Sequence, residues 1–127
     1  MSYKVLVVDD ESTVSDLLKD LLKRENNSVE CASSGEEALD IIDREDFDIV
    51  LLDIKLSGMS GLETLKKIKE VKPNLIVIMT TGFGYDQDLI VKSKELGCAG
   101  YIGKNMSTYE IMSNFRIFAE TAKEAKG

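Results

Sequence analysis

Asp9 and Asp10 close one short apolar run of this sequence, Asp53 closes a second, Thr80 and Thr81 close a third, and Lys104 lies just past a fourth. If those runs are strands of one sheet, three carboxylates, a hydroxyl and an ammonium converge at one edge of it. Carboxylates crowded in this way repel one another, and at least one pKa rises unless a cation neutralises them. Clusters of that kind mark functional sites. An all-oxygen set suits a hard divalent cation, and magnesium in particular keeps several waters and takes one or two carboxylates together with phosphate oxygens. The chain has no histidine, which removes histidine triads, phosphohistidine chemistry on this chain and the usual nitrogen ligands of zinc or copper. Singly, each residue has a plainer reading, as a turn aspartate, a strand-end threonine or a solvated lysine. Only their combination points to chemistry.

Bringing these residues together requires strands whose carboxyl ends lie side by side. Lys4 to Val8 is rich in β-branched residues and almost unbroken in apolarity, as befits a parallel strand buried on both faces. Ile49 to Leu52 and Leu75 to Met79 read the same way, while Val29 to Ala32 and Gly100 to Ile102 are shorter and weaker, as edge strands are. Between them, Val14, Leu17, Leu18, Leu21 and Leu22 recur at helical spacing and predict one apolar stripe on a first helix. Ser34 with Glu37, Ser60 with Glu63 and Ser107 with Glu110 each fit a capping box, in which a hydroxyl and a carboxylate satisfy orphaned amides. These mark the starts of helices two, three and five. Pro73 closes the third helix and Gly97 suits a left-handed cap after the fourth. The last helix gathers Ile111, Met112, Phe115, Phe118, Ala119 and Ala122 on one side, with Ile117 roughly opposite. Five strand-helix units joined by right-handed crossovers make a doubly wound α/β sheet. Ligands of such sheets bind outside the carboxyl ends of the strands, where strand order reverses, and that is where the polar residues fall.

At 127 residues, 43% hydrophobic and 31% charged, the chain is expected to form a single domain over 1–127 without help from disulfides or structural metal. A net charge of -7 with scattered basic residues argues against nucleic acid or an anionic membrane as partner. Cys31 and Cys98 are far apart in sequence and read as two reduced, apolar side chains, which favours the cytoplasm. No signal-peptide pattern is present, and no apolar run approaches the roughly 18 residues of a membrane span.

Four motifs occur in order across nearly the whole chain: Val7-Val8-Asp9-Asp10-Glu11; Leu52-Asp53-Ile54-Lys55-Leu56 running on through Gly58-Met59-Ser60-Gly61; Met79-Thr80-Thr81-Gly82; and Gly100-Tyr101-Ile102-Gly103-Lys104. In them the sequence resembles the receiver domain of bacterial response regulators, the phosphate-accepting part of two-component signalling. The resemblance implies a flavodoxin-like parallel sheet of five strands in the order 2-1-3-4-5. It also implies that Asp53 is the phosphoacceptor, that Asp10 binds magnesium directly and Asp9 largely through water, and that the Lys55 main-chain carbonyl and Asp53 complete the protein's ligands. Lys104 would hold phosphoryl oxygens. Thr81 and Tyr101 would form the switch pair, with Thr80 as the alternative to Thr81. The implied partners are a sensor histidine kinase or histidine phosphotransfer protein, and a downstream protein that recognises helix four, strand five and helix five. On this reading the chain is an acceptor that assists its own phosphorylation and dephosphorylation, not an enzyme.

Two positions depart from the family pattern, which usually has proline four residues after the acceptor and directly after the lysine; here stand Ser57 and Asn105. The lysine-proline bond is typically cis, and a non-proline cis bond costs about 3 kcal/mol, so a trans Lys104-Asn105 bond in a rearranged loop is expected. The segment from Thr81 to Lys104 is one residue longer than usual. Lys55 and Phe83, two residues past Asp53 and Thr81, either shield the phosphoryl group from water or simply face solvent. A flavodoxin-like binder of a phosphate-bearing molecule would need a glycine-rich loop after the first strand, where Asp9-Asp10-Glu11 stand instead. A metal-dependent phosphatase would need a substrate pocket that the chain has little room for. The remaining alternative is a degenerate receiver acting as a phosphorylation-independent interaction module. If the 127 residues are the entire protein, output is by contact alone, as a relay or an adaptor.

Overall fold

The computed structural model describes residues 2–82 and 86–126, the side chain of Lys126 excepted. Strands and helices alternate: β1 (Lys4–Val8), α1 (Ser12–Arg24), β2 (Ser28–Ala32), α2 (Gly35–Arg44), β3 (Ile49–Asp53), α3 (Gly61–Val71), β4 (Ile76–Thr81), α4 (Gln87–Glu95), β5 (Gly100–Gly103) and α5 (Thr108–Lys126). All strand pairs are parallel, in the order β2-β1-β3-β4-β5. The order reverses at β1 and β3, whose carboxyl ends therefore flank a crevice.

Successive side chains of a strand point to opposite faces, so each central strand feeds two cores. Leu6, Val8, Val50, Leu52, Val77 and Met79 pack with Ile42 of α2, Leu65 and Ile68 of α3 and Ile90 of α4. Val5, Val7, Ile49, Leu51, Ile76 and Ile78 pack on the other side with Leu18 and Leu22 of α1 and Ile111 and Phe115 of α5. Burying each such side chain stabilises the fold by about 2 kcal/mol, which is why the central strands lack polar alternation.

Helix starts follow the hydroxyl-carboxylate pairs. Ser107 and Glu110 form the reciprocal box, each amide donating to the other's side chain at 3.1 Å. The Ser34 and Ser60 hydroxyls accept from the Glu37 and Glu63 amides, both at 3.1 Å. Glu37 reaches back one residue further than expected, to the Ser33 amide at 2.6 Å. Lys72, forced away from helical dihedrals by Pro73, ends α3 with φ -134°. Gly97 follows α4 with φ +99°, the left-handed cap its lack of a Cβ permits.

Two expectations need correction. Leu17 does not join the buried stripe of α1: it is 43% exposed, and the small Ser15 is buried instead. The helix lies so that its 15-18-22 ridge meets the sheet, a rotation that the run of leucines alone leaves open. β4 is shifted relative to the expected Leu75–Met79, running from Ile76 through Thr81. Its neighbours supply the ladder, with Asp53 opposite Thr80 and Thr81 opposite Gly103, so polar residues remain in strand geometry. β2 begins one residue early, at Ser28, and β5 extends to Gly103.

Gly61, the first residue of α3, lies hard against the end of β3. A Cβ there would sit 2.1 Å from the Asp53 carbonyl oxygen and 2.6 Å from that of Ile54. Both neighbours are backbone and cannot swing aside. Gly61→Ala is expected to cost about 2 kcal/mol or more, read as a lowered urea midpoint, because overpacking must displace the loop that carries the acidic site.

Candidate functional site

Each functional side chain is delivered by the end of a different strand. Asp9 follows β1, held by its amide on the Ala32 carbonyl of β2 at 3.1 Å, and its Oδ1 accepts from the Glu11 amide at 2.9 Å. Asp53 is the last residue of β3, and its Oδ1 accepts from the Lys55 amide at 3.2 Å. Lys104 follows β5, its amide donating to the Thr81 carbonyl at 2.7 Å. The ladder thus sets the height of each group along the sheet before any side-chain contact is made.

The ammonium of Lys104 lies 2.7 Å from Asp9 Oδ2 and 3.0 Å from Asp53 Oδ2, with Glu11 Oε1 at 3.3 Å. Asp9 and Asp53 are buried, and the Lys104 side chain is only 12% exposed. Asp10 is exposed and turned toward the loop after β3, where its Oδ2 accepts from the Ser57 amide at 3.1 Å and the Ser57 hydroxyl at 2.7 Å. One carboxylate oxygen from each of Asp9, Asp10, Glu11 and Asp53 lies within 4.8 Å of the others. Three of these carboxylates share Lys104 while Asp10 rests on Ser57, and the cluster is made of oxygen ligands alone. That donor set fits a hard divalent cation.

The electrostatics follow from these contacts. Burial pushes the Asp53 carboxyl above its ordinary pKa, and the neighbouring Lys104 opposes that push without cancelling it. Burial also works against the Lys104 ammonium, but its bonds to Asp9 and Asp53 outweigh it and hold the pKa well above the usual lysine value. The two hydrogen bonds from Ser57 lower the pKa of Asp10.

Thr80 and Thr81 point to opposite faces of β4. Thr80 lines a small crevice with Val14, Leu18, Ile102 and Lys104, on the α1 and α5 side. Thr81 shares the alternation of Val77 and Met79, on the side of α3 and α4. Its hydroxyl is buried and, among the described residues, has no hydrogen-bond partner. Tyr101 packs half-buried against the same core, opposite Met79 in the ladder, with the Lys94 ammonium 5.8 Å from its ring centre. Lys55 is exposed, and Phe83 lies outside the described residues. The peptide bonds of the described residues are all trans, Lys104-Asn105 included.

Two members of the site escaped the sequence reading. Glu11 was visible beside Asp9 and Asp10, but nothing in a string of three acids tells that this exposed one reaches across to Lys104. Ser57 stood out as a missing proline; the signal overlooked was that any residue other than proline brings an amide donor, and serine a hydroxyl besides.

Fold and site together define a flavodoxin-like α/β protein with a lysine-bridged acidic centre at the switch point of its sheet. The chain belongs to the response regulator receiver domain family, which matches residues 5–116. It is 40% identical over 111 residues to sporulation initiation phosphotransferase F of Bacillus subtilis (strain 168), covering 87% of this chain and 89% of that one. A receiver domain protein (CheY-like) from Methanospirillum hungatei JF-1 superposes with a TM-score of 0.90 at 30% identity, over 98% of this chain and 99% of that one. NtrX from Brucella abortus superposes with a TM-score of 0.93 at 30% identity over 99% of this chain, which spans only 29% of the NtrX chain. Among the described residues no helix is long and apolar enough to cross a membrane.

Proposed function

We propose that residues 1–127 form a single receiver domain in which Asp53 accepts a phosphoryl group from a phosphohistidine, on a sensor kinase or a phosphotransfer protein. The observation that carries this reading is the buried Asp53 carboxylate, 3.0 Å from a lysine and ringed by three further acids at a sheet switch point. An ionised Asp53 oxygen attacks phosphorus in line. The P–N bond breaks, its electron pair returns to the partner's imidazole, and an acyl phosphate remains on Asp53. Lys104, already bonded to Asp53, is placed to hold the phosphoryl oxygens as charge shifts toward them. Magnesium held by Asp10, Asp53 and the Lys55 carbonyl, with Asp9 acting through water, would supply neutralisation of the remaining negative charge. Because the phosphoryl group stays on Asp53 until hydrolysis returns the carboxylate, the chain acts as an acceptor that assists its own phosphorylation and dephosphorylation.

The output reading rests on Thr81. A buried hydroxyl without a partner costs free energy in the resting state, and a phosphoryl oxygen on Asp53 offers the acceptor it lacks. Moving Thr81 toward it changes the space beside Tyr101 on the same sheet face, so that the α4-β5-α5 surface presents a different shape to a downstream protein. Thr81→Val, which removes only the hydroxyl function, is expected to stabilise the unphosphorylated protein by about 1 kcal/mol in urea denaturation. Phosphoryl uptake persists in that variant, while the phosphorylation-dependent shift of the Tyr101 ring resonances disappears. A destabilised variant, or one that keeps the shift, contradicts the assignment.

Incubation with acetyl phosphate and Mg2+ tests the function directly. A hydroxylamine-labile adduct with the mass of one phosphoryl group, mapped to Asp53, is the expected result. No adduct with either acetyl phosphate or a cognate kinase returns the chain to the class of phosphorylation-independent interaction modules.

A further inference from the structure

We infer that Ser57 is a positioning residue that fixes the Asp10 carboxylate for cation binding. The inference rests on the metal-assisted acceptor reading above. Asp10 is the only exposed aspartate of the four-carboxylate cluster among the described residues, since Asp9 and Asp53 are locked in place by burial and by Lys104. An exposed aspartate beside other carboxylates swings outward, because repulsion and solvation both favour it. Two donors from one residue oppose that motion. The Ser57 amide and hydroxyl reach Asp10 Oδ2 at 3.1 Å and 2.7 Å, across 47 residues of sequence, and join the end of β1 to the loop after β3.

Both bonds converge on one oxygen. A carboxylate has about four lone-pair positions, so two bonds to Oδ2 leave it able to ligate. With these bonds in place, one Asp10 oxygen lies within 4.8 Å of carboxylate oxygens of Asp9, Glu11 and Asp53. Ser57 also supplies partial positive charge to the ionised form of Asp10 and does not compete with Lys104, which bonds the other acids. Partners of this kind around metal ligands change affinity by about 10–100-fold when removed. A proline at position 57 could donate neither bond.

The test measures Mg2+ binding to the unphosphorylated protein by calorimetric titration, without phosphoryl transfer. Ser57→Ala removes the hydroxyl bond at an exposed position and is expected to weaken Mg2+ binding about 3- to 10-fold, with the far-UV spectrum unchanged. Ser57→Thr keeps both donors and is expected to bind as the parent does. In an Asp10→Asn background, Ser57→Ala is expected to change nothing further, because its effect runs through the Asp10 carboxylate. Parent-like or tighter binding by Ser57→Ala overturns the role of Ser57 and leaves the acceptor reading standing. A parent protein that binds no Mg2+ overturns both.

Discussion

Asp53→Asn is expected to abolish hydroxylamine-labile phosphoryl labelling, a fall of at least about a hundredfold, since the amide cannot serve as the nucleophile. The same substitution is expected to make the protein more stable. Burial raises the pKa of Asp53, so ionising it in the folded chain costs free energy that the unfolded chain does not incur. The sign follows directly. Below the ordinary aspartate pKa of about 4 the side chain is protonated in both states and no cost arises. As pH rises, the unfolded chain ionises first, and the cost reaches its full size above the raised folded pKa. Asparagine never ionises, so its advantage should be absent in acid, grow from about pH 4 upward and level off once pH passes the raised folded pKa. Lys104 keeps Asp9 at 2.7 Å and is not stranded by the change. Urea melts of both proteins at several pH values, with labelling by acetyl phosphate, check the two halves together. Residual Asp53-independent labelling, or a less stable variant at pH 7, contradicts the account.

Lys104→Met should act in the opposite direction on stability and in the same direction on phosphoryl uptake. Without the ammonium, Asp9 and Asp53 are left buried, close and unpaired, a loss expected to cost about 3 kcal/mol at pH 7. The raised lysine pKa means that this contribution is complete below the ordinary lysine value of about 10.4 and is lost only as pH climbs through the higher folded value. It is therefore at full strength throughout the neutral range. Phosphoryl uptake should fall about a hundredfold, as on removal of a transition-state donor. Millimolar Mg2+ should recover part of the lost stability, because a ligand that binds only the folded chain adds stability in proportion to its occupancy. A variant as stable as the parent would mean that solvent already screens the four acids. Lys104→Arg, which keeps the charge in a planar fork, should restore stability better than uptake, since the geometry at the phosphoryl oxygens differs.

The two substitutions expose an imbalance at the site. Removing one acid is expected to relieve the fold and removing the lysine to injure it, because three of the four clustered carboxylates, Asp9, Glu11 and Asp53, depend on the one ammonium of Lys104. Function keeps the excess negative charge in place. On the proposed function, that excess is what would favour a divalent cation there, and the cation in turn would offset the charge of an incoming phosphoryl group.

Much of this was legible in the residue order. Nearly unbroken apolar, β-branched runs at Lys4 to Val8 and Ile49 to Leu52 read as strands buried on both faces, and the serine-glutamate pairs marked where helices begin. Alternating elements and right-handed crossovers then left few topologies, and the acids had to fall at the carboxyl edge. What pattern leaves open is rotation and reach. Leu17 turned to solvent because helix orientation is set by packing against α5 and the sheet, not by the helix's own apolar count. β4 continued through Thr80 and Thr81 because the ladder partners came from β3 and β5.

By its sequence alone the chain determined its fold class, its family and the edge of the sheet where the charged residues gather, since periodicity and spacing are local properties of the chain. Tertiary structure alone decided which contacts form there: Lys104 between Asp9 and Asp53, Thr81 rather than Thr80 on the Tyr101 face, and Ser57 on Asp10. Those contacts join residues tens of positions apart. Their distances depend on strand register, on the rotation of each side chain and on how far a loop folds back, and these are settled only when the whole sheet is packed.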